Sequence, residues 1–125
     1  MPALRVLAGP RARAVLRERG LQATDVRVIP AAAGGPKGLI LNGLDRHLFG
    51  EFLPRSQQPV HLLGASIGAW RMASAGLAPG PEAADAAFRA MADAYIAQQY
   101  DPEPGRKSPS AGSVSRKFEQ TLAAQ

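Results

Sequence analysis

Two short apolar segments, each followed at once by glycine and then by a helical pattern, restrict the fold more than any other feature of this sequence. Residues 25–30 alternate and then continue apolar, which predicts a strand, and the turn AAAGGPKG follows them. Residues 59–64, PVHLLG, predict a second buried strand that ends in GASIG. A helical pattern from Pro36 to Phe52, with Ile40 on its apolar side and Asp45 on its polar side, joins the two strands. We therefore expect the strands to be parallel with a right-handed crossover.

Both glycine turns are then expected at the carboxyl ends of parallel strands, where open α/β folds bind their ligands. The predicted fold class is therefore α/β. Further patterns predict helices at residues 10–20, 67–76, 81–100 and 113–125, with an exposed loop rich in Pro, Gly and Ser at 101–112. Two strands are fewer than most sheets contain, so we expect residues 1–125 to form the N-terminal portion of a longer domain.

Composition narrows the class of protein without identifying it. The chain is 46% hydrophobic and 20% charged, proportions typical of globular proteins. The absence of cysteine excludes a disulfide framework, a thiolate nucleophile and a cysteine-ligated zinc site. The first apolar run is too short for a secretory signal, and no window approaches about 18 uninterrupted apolar residues, so we expect a cytoplasmic location.

The net charge of +5 is concentrated near the N-terminus, where residues 1–30 hold six arginines against two acidic residues. Such a patch could attract nucleic acid or an anionic membrane surface. Binding of bases also requires aromatic side chains among the basic ones, and residues 1–30 contain none. We therefore interpret the arginines as a solvated helix face and expect no nucleic-acid partner.

The turn after the second strand has the pattern G-x-S-x-G, with Ser66 between Gly64 and Gly68. Between a strand and a helix, this pattern is typical of a nucleophile elbow, in which a strained turn exposes the serine hydroxyl. The glycines allow strand and helix to pass closely, and the start of the helix favours developing negative charge at the serine. Ser66 is the candidate nucleophile, and an ordinary Gly/Ser turn is the alternative.

The glycine-rich loop at residues 33–38 is the second part of the candidate site. It begins a helix at the same predicted sheet edge, about thirty residues before Ser66, so its backbone N–H groups could form an oxyanion hole. Pro36 has no N–H, which leaves Gly34, Gly35 and Lys37 as candidate donors. A phosphate-binding P-loop is the competing interpretation, but Gly38 stands where that motif requires Ser or Thr.

The two elements together resemble the patatin-like phospholipases, through AAGGPKGLILNGLDRHLFG and HLLGASIGAWRMASAG, over residues 25–76. The resemblance implies a three-layer fold with a parallel-type sheet flanked by helices. It also implies a serine acyl hydrolase that cleaves carboxylic esters of lipids without metal or cofactor. The implied partners are a lipid or other ester substrate and a membrane surface contacted peripherally. The general α/β-hydrolase family is less similar, because its loop usually lies further from the serine.

Carried over residue by residue, the resemblance implies one nucleophile, two elbow glycines and a four-residue oxyanion loop, namely Ser66, Gly64, Gly68, Gly34, Gly35, Lys37 and Gly38. Ala33 replaces the first glycine of the family's G-G-G-x-[KR]-G loop. The family's base is an aspartate in a D-G-[GA] motif, and none of the five aspartates here is followed by glycine. The base is therefore expected outside these residues. A truncated, non-catalytic domain that binds a lipid or a partner is the alternative.

Three other polar residues could be considered as catalysts. His47 and His61 are interpreted as packed or edge histidines, because neither is expected to have a carboxylate nearby to orient it. Lys37 could act as a Ser–Lys base, but its place in the loop favours a structural or anion-orienting role. Ser66 is thus left with no base that the sequence identifies.

Overall fold

The structure is a computed structural model that describes residues 5–32 and 34–123. These residues form a mixed α/β structure that is mostly helical, with a two-stranded parallel sheet. The chain divides into two compact units, Met1–Ala92 and Asp93–Gln125. Its elements are α1 (Pro10–Arg19), β1 (Val28–Ala31), α2 (Asn42–His47), β2 (His61–Gly64), α3 (Ile67–Leu77), α4 (Pro81–Ala97) and α5 (Ala111–Ala123). The predicted order of strand, glycine turn, helix, strand, glycine turn and helix is confirmed.

The two strands pair in parallel, with Val28 beside His61 and Ala31 beside Gly64. Both strands therefore end at the same edge of the sheet, as predicted. Side chains alternate between the two faces of a strand. One face is partly buried beneath α3, which packs against both strands, whereas the opposite face exposes the apolar side chains Val28, Pro30 and Leu63.

The first strand begins later than predicted, because Ala23–Asp25 forms a 3₁₀ turn instead. The carboxylate of Asp25 accepts hydrogen bonds from the guanidinium of Arg19, at 2.7 Å, and from the backbone N–H of Gln22, at 3.0 Å. The bond from Arg19 is the largest reason why the pKa of Asp25 falls to about 2. These bonds hold residue 25 in the turn and delay the start of β1.

The segment between the strands is a composite helix rather than the single α-helix predicted for residues 36–52. It consists of a 3₁₀ helix (Gly35–Leu41), α2, a π-helical turn (Leu48–Phe52) and a second 3₁₀ turn (Leu53–Arg55). These helix types differ in residues per turn, so the buried face shifts along the segment. Ile40, predicted on the apolar side, is 82% exposed, and Asp45, predicted on the polar side, is 2% exposed.

The core of the first unit contains small and medium apolar side chains around one phenylalanine. Phe88 of α4 is fully buried, and its ring lies 5.5 Å from the ring of Phe49, measured between centroids. The side-chain amide of Asn42 donates a hydrogen bond of 2.7 Å to the carbonyl of Phe88. The other buried apolar residues are Ala23, Ala31, Ile67, Met72, Ala84 and Met91. Phe88 thus links α4 to the composite helix both by ring packing and by a backbone hydrogen bond.

The second unit is stabilised by polar and aromatic contacts within residues 93–123. Glu103 accepts hydrogen bonds from the backbone N–H and the hydroxyl of Ser110, and these bonds lower the pKa of Glu103. The hydroxyl of Ser110 in turn accepts the backbone N–H of Ser113, so α5 begins at Ala111, earlier than predicted. The rings of Tyr100 and Phe118 lie 6.1 Å apart.

Phe88→Ala should lower the free energy of unfolding by about 3–5 kcal/mol, because it leaves a cavity in the core of the first unit. The matched control is Ile96→Ala on the same helix, where the side chain is exposed and the expected change is within about 0.5 kcal/mol. Urea unfolding followed by circular dichroism measures both. Equal losses for the two variants would contradict the assigned core.

Candidate active site

Ser66 occupies a strained turn between β2 and α3. Its backbone has φ 55° and ψ −129°, and it is the one residue other than glycine with positive φ among residues 5–32 and 34–123. Such a conformation costs about 1–3 kcal/mol and persists only where the surrounding structure imposes it. Ser66 is also exposed, so its hydroxyl is open to a substrate.

The two glycines that flank Ser66 occupy positions where no side chain fits. A Cβ atom at Gly64 would lie 2.5 Å from the Cα of Ala69, and one at Gly68 would lie 2.1 Å from the carbonyl oxygen of Ala31. Real Cβ atoms essentially never approach backbone this closely. The end of β1, the end of β2 and the first turn of α3 therefore meet backbone against backbone around Ser66.

The glycine-rich loop lies at the same edge of the sheet as Ser66. It follows β1, and Gly35, with φ 54°, opens the 3₁₀ helix of the composite segment. Gly38 is buried, and a Cβ there would lie 2.8 Å from Cγ2 of Ile67, the first residue of α3. The 3₁₀ helix that follows the loop and α3 are thus in direct contact. Ala33, where the resemblance implies a glycine, lies outside the described residues.

Two of the four residues predicted to form the oxyanion hole have backbone N–H groups that are free to bind a ligand. Among the described groups, the N–H of Gly34 and that of Gly35 donate no hydrogen bond. The N–H of Lys37 instead donates to the carbonyl of Gly34 at 3.3 Å, because the chain enters a 3₁₀ turn there. Lys37 is thus placed less favourably as an amide donor than expected, and Gly38 contributes chiefly by its lack of a side chain.

A cleft of about 470 Å³ lies against this loop. Its walls come from the end of β1, the loop, the 3₁₀ helix and α3, and its lining residues are Pro30, Ala31, Ala32, Gly34, Lys37, Gly38, Leu41 and Arg71. Lys37 is exposed and makes no ion pair with the described residues. The cleft therefore combines apolar walls with one unpaired positive charge.

In the described residues of the first unit, no base is hydrogen-bonded to Ser66. The hydroxyl of Ser66 makes no hydrogen bond with any described side chain, and the aspartates of this unit are all paired with arginine, Asp25 with Arg19, Asp45 with Arg71, and Asp85 with Arg46 and Arg89. His61 starts β2, at the end of the strand remote from Ser66. The prediction that His47 has no carboxylate nearby is wrong, because its Nδ1 lies 3.1 Å from Glu51, one helical turn further on, but His47 is exposed on the composite helix.

A buried ion pair beside the cleft was not predicted. The Nε of Arg71 lies 2.6 Å from Oδ2 of Asp45, and its Nη2 lies 2.7 Å from Oδ1, so the pair is bidentate. Asp45 is 2% and Arg71 7% exposed, and this hydrogen bonding raises the pKa of Arg71 above its ordinary value. The sequence contains a signal for the burial of Arg71 but not for its partner, because Arg71 stands four residues after Ile67 and so shares its buried helix face.

Three further observations limit what the candidate site and the protein can be. Within residues 5–32 and 34–123, no three His, Asp or Glu side chains group closely enough to hold a metal ion. In the same part of the chain, each helix is too short or too polar to cross a membrane. No family model, curated protein or solved structure matches the sequence or the fold. The geometry around Ser66 is therefore the structural feature from which a function can be inferred.

Gly68→Ala should lower the free energy of unfolding by about 1–3 kcal/mol, because the new methyl group overlaps the carbonyl of Ala31. The control is Gly76→Ala in the same helix, where nothing lies within 4 Å of a Cβ. That change should leave stability unchanged or raise it by up to about 1 kcal/mol through helix propensity. Chemical denaturation of both variants checks this, and a Gly68→Ala protein as stable as the control would refute the close contact.

Ser66→Gly should be more stable than Ser66→Ala by about 0.5–2 kcal/mol. Glycine adopts positive φ without steric cost, whereas alanine keeps the strain of the serine. Both variants lack the hydroxyl, so thermal unfolding compares the backbone effect alone. A glycine variant less stable than the alanine variant would show that residue 66 is unstrained.

Proposed function

We propose that this protein is a serine acyl hydrolase of patatin-like type, which hydrolyses carboxylic ester bonds of lipids or phospholipids. One observation carries the proposal: Ser66 stands exposed and strained between a parallel strand and a helix, at the sheet edge where Gly34 and Gly35 present unoccupied amides. A nucleophile and an oxyanion hole must act on the same carbonyl group, and both elements lie at this edge of the sheet.

In the proposed reaction, Oγ of Ser66 attacks the ester carbonyl carbon and its proton passes to a general base. The carbonyl oxygen becomes an oxyanion, which accepts hydrogen bonds from the amides of Gly34 and Gly35 and is further stabilised by the positive end of the α3 dipole. Collapse of this intermediate releases the alcohol, which takes the proton from the base. Water then attacks the acyl-serine, returning the free acid and Ser66.

The base is proposed to be an aspartate outside the first unit. The aspartates of that unit are already bound by arginine, and releasing one would leave an unpaired buried or surface cation. General-base assistance contributes about 10²- to 10⁴-fold to such reactions. None of the five aspartates here is followed by glycine, so the proposal includes a Ser–Asp dyad whose aspartate is not one of them.

The wider patatin-like architecture is part of the proposal. A three-layer fold has helices on both faces of its sheet, and here α3 packs on one face while Val28, Pro30 and Leu63 are exposed on the other. Leu41 in the wall of the cleft beside the glycine loop, next in sequence to the exposed Ile40, offers apolar surface to an acyl chain, although Ser66 does not line that cleft. Peripheral contact with a membrane and a cytoplasmic location belong to the same proposal, with no nucleic-acid partner.

A fluorophosphonate probe tests the function on the protein made from the complete reading frame. The probe should label the wild type, and Ser66→Ala should abolish labelling and lower hydrolysis of a short-chain aryl ester by at least about 10³-fold. The control is Ser74→Ala on the same helix, whose hydroxyl donates to the carbonyl of Trp70 at 3.0 Å. This variant should label like the wild type.

Labelling that persists in Ser66→Ala would overturn the assignment of the nucleophile. A wild type that is folded but neither labels nor hydrolyses esters would favour the second candidate function, a non-catalytic domain that binds a lipid or a partner. That candidate is favoured by one observation: in the described residues of the first unit, no base is hydrogen-bonded to Ser66. Binding to lipid vesicles without turnover would then be its signature.

A further inference from the structure

The ion pair between Asp45 and Arg71 connects the two helices that carry the halves of the candidate site. Asp45 belongs to α2, which continues the 3₁₀ helix that opens at Gly35, and Arg71 belongs to α3, which opens next to Ser66. Both side chains are almost fully buried, and two hydrogen bonds join them. The pair therefore fixes both the distance and the direction between the two helices.

A second contact between the same helices lies nearer the site. Gly38 meets Ile67 so closely that a Cβ would lie 2.8 Å from Cγ2 of the isoleucine. Ile67 and Arg71 are four residues apart on α3 and so share one face. Two separate contacts, one steric and one ionic, thus define how the composite helix is rotated relative to α3.

A buried ion pair is a poor choice if stability alone is required. Removing both charges from water costs about as much as their attraction returns, and well-packed apolar residues often serve equally well. A bidentate guanidinium–carboxylate pair supplies what apolar packing lacks, a defined orientation. The arginine is suited to this role because its fork is planar and always charged.

We propose that Asp45 and Arg71 are positioning residues that hold the amides of Gly34 and Gly35 at the correct place for an oxyanion formed at Ser66. This inference rests on the proposed function. Neither side chain of the pair is hydrogen-bonded to the serine or to the two amides, although Arg71 lines the cleft beside the glycine loop. The pair acts through the helices that carry the serine and the amides. Its loss should therefore affect the transition state more than the binding of substrate.

The test compares an apolar replacement with a matched control in the complete protein. Asp45→Leu combined with Arg71→Met keeps volume and burial while removing the oriented pair. Hydrolysis of a short-chain aryl ester should show kcat lowered about 10- to 100-fold, with KM within about twofold, because a misplacement near 1 Å has effects of this order. Its thermal unfolding temperature should equal or exceed that of the wild type.

The control removes the neighbouring ion pair on the same helix. Arg46 pairs with Asp85 of α4 rather than with α3, and both side chains are part exposed. Arg46→Gln combined with Asp85→Asn should leave kcat within about twofold of the wild type. Arg71→Lys keeps the charge but not the bidentate geometry, and its kcat should fall between those of the wild type and the apolar double variant.

A folded Asp45→Leu/Arg71→Met protein with wild-type kcat overturns the positioning role. If that variant does not fold, a folded Arg71→Lys protein with wild-type kcat overturns it instead. A fall in kcat equal to that of the Arg46/Asp85 control also overturns it. A wild type that neither turns over ester nor labels at Ser66 defeats the proposed function itself and the positioning role with it. Turnover by the wild type together with unchanged variants defeats the positioning role alone.

Discussion

The direct approach of backbone to backbone at the end of the sheet is the constraint on which the rest of this structure depends. The carbonyl oxygen of Ala31 lies so close to Gly68 that no side chain fits between them, and it also accepts the backbone N–H of Ala65 at 3.0 Å. One carbonyl thus joins the end of β1 to both sides of Ser66. The positive φ of the serine, the direction of α3 and the contact of α3 with Gly38 all follow from this junction.

Glycine made this part of the fold predictable from the sequence. A strand, glycines and a helix in succession have few alternatives, because glycine is the residue that tolerates both close approach and positive φ. The order of the elements, the parallel pairing, the shared edge and the turn at Ser66 could therefore be predicted. The start of β1 could not, since it depends on the side-chain bonds of Asp25.

The composite helix shows why a hydrophobic pattern alone could not predict which face of this segment is buried. A hydrophobic pattern assigns faces only if the number of residues per turn is known, and this segment changes from 3₁₀ to α and then to π geometry. Asp45 and Ile40 were consequently assigned to the wrong faces, and the amide of Lys37 was expected to be unoccupied. The pairing of Asp45 with Arg71 joins residues 26 positions apart, which no local pattern contains. For the same reason, residues near Ser66 in the sequence cannot show whether a base acts on it.

The sheet also has a consequence for what can approach Ser66. In the described residues β1 and β2 pair only with each other, so each has an outer edge of backbone N–H and C=O groups facing away from its partner. Such edges bind further extended chains by main-chain hydrogen bonds. A strand added in parallel beside β2 would end next to the elbow, and one added beside β1 would end next to the glycine loop. A strand that extends this sheet would therefore also change the access of other molecules to Ser66.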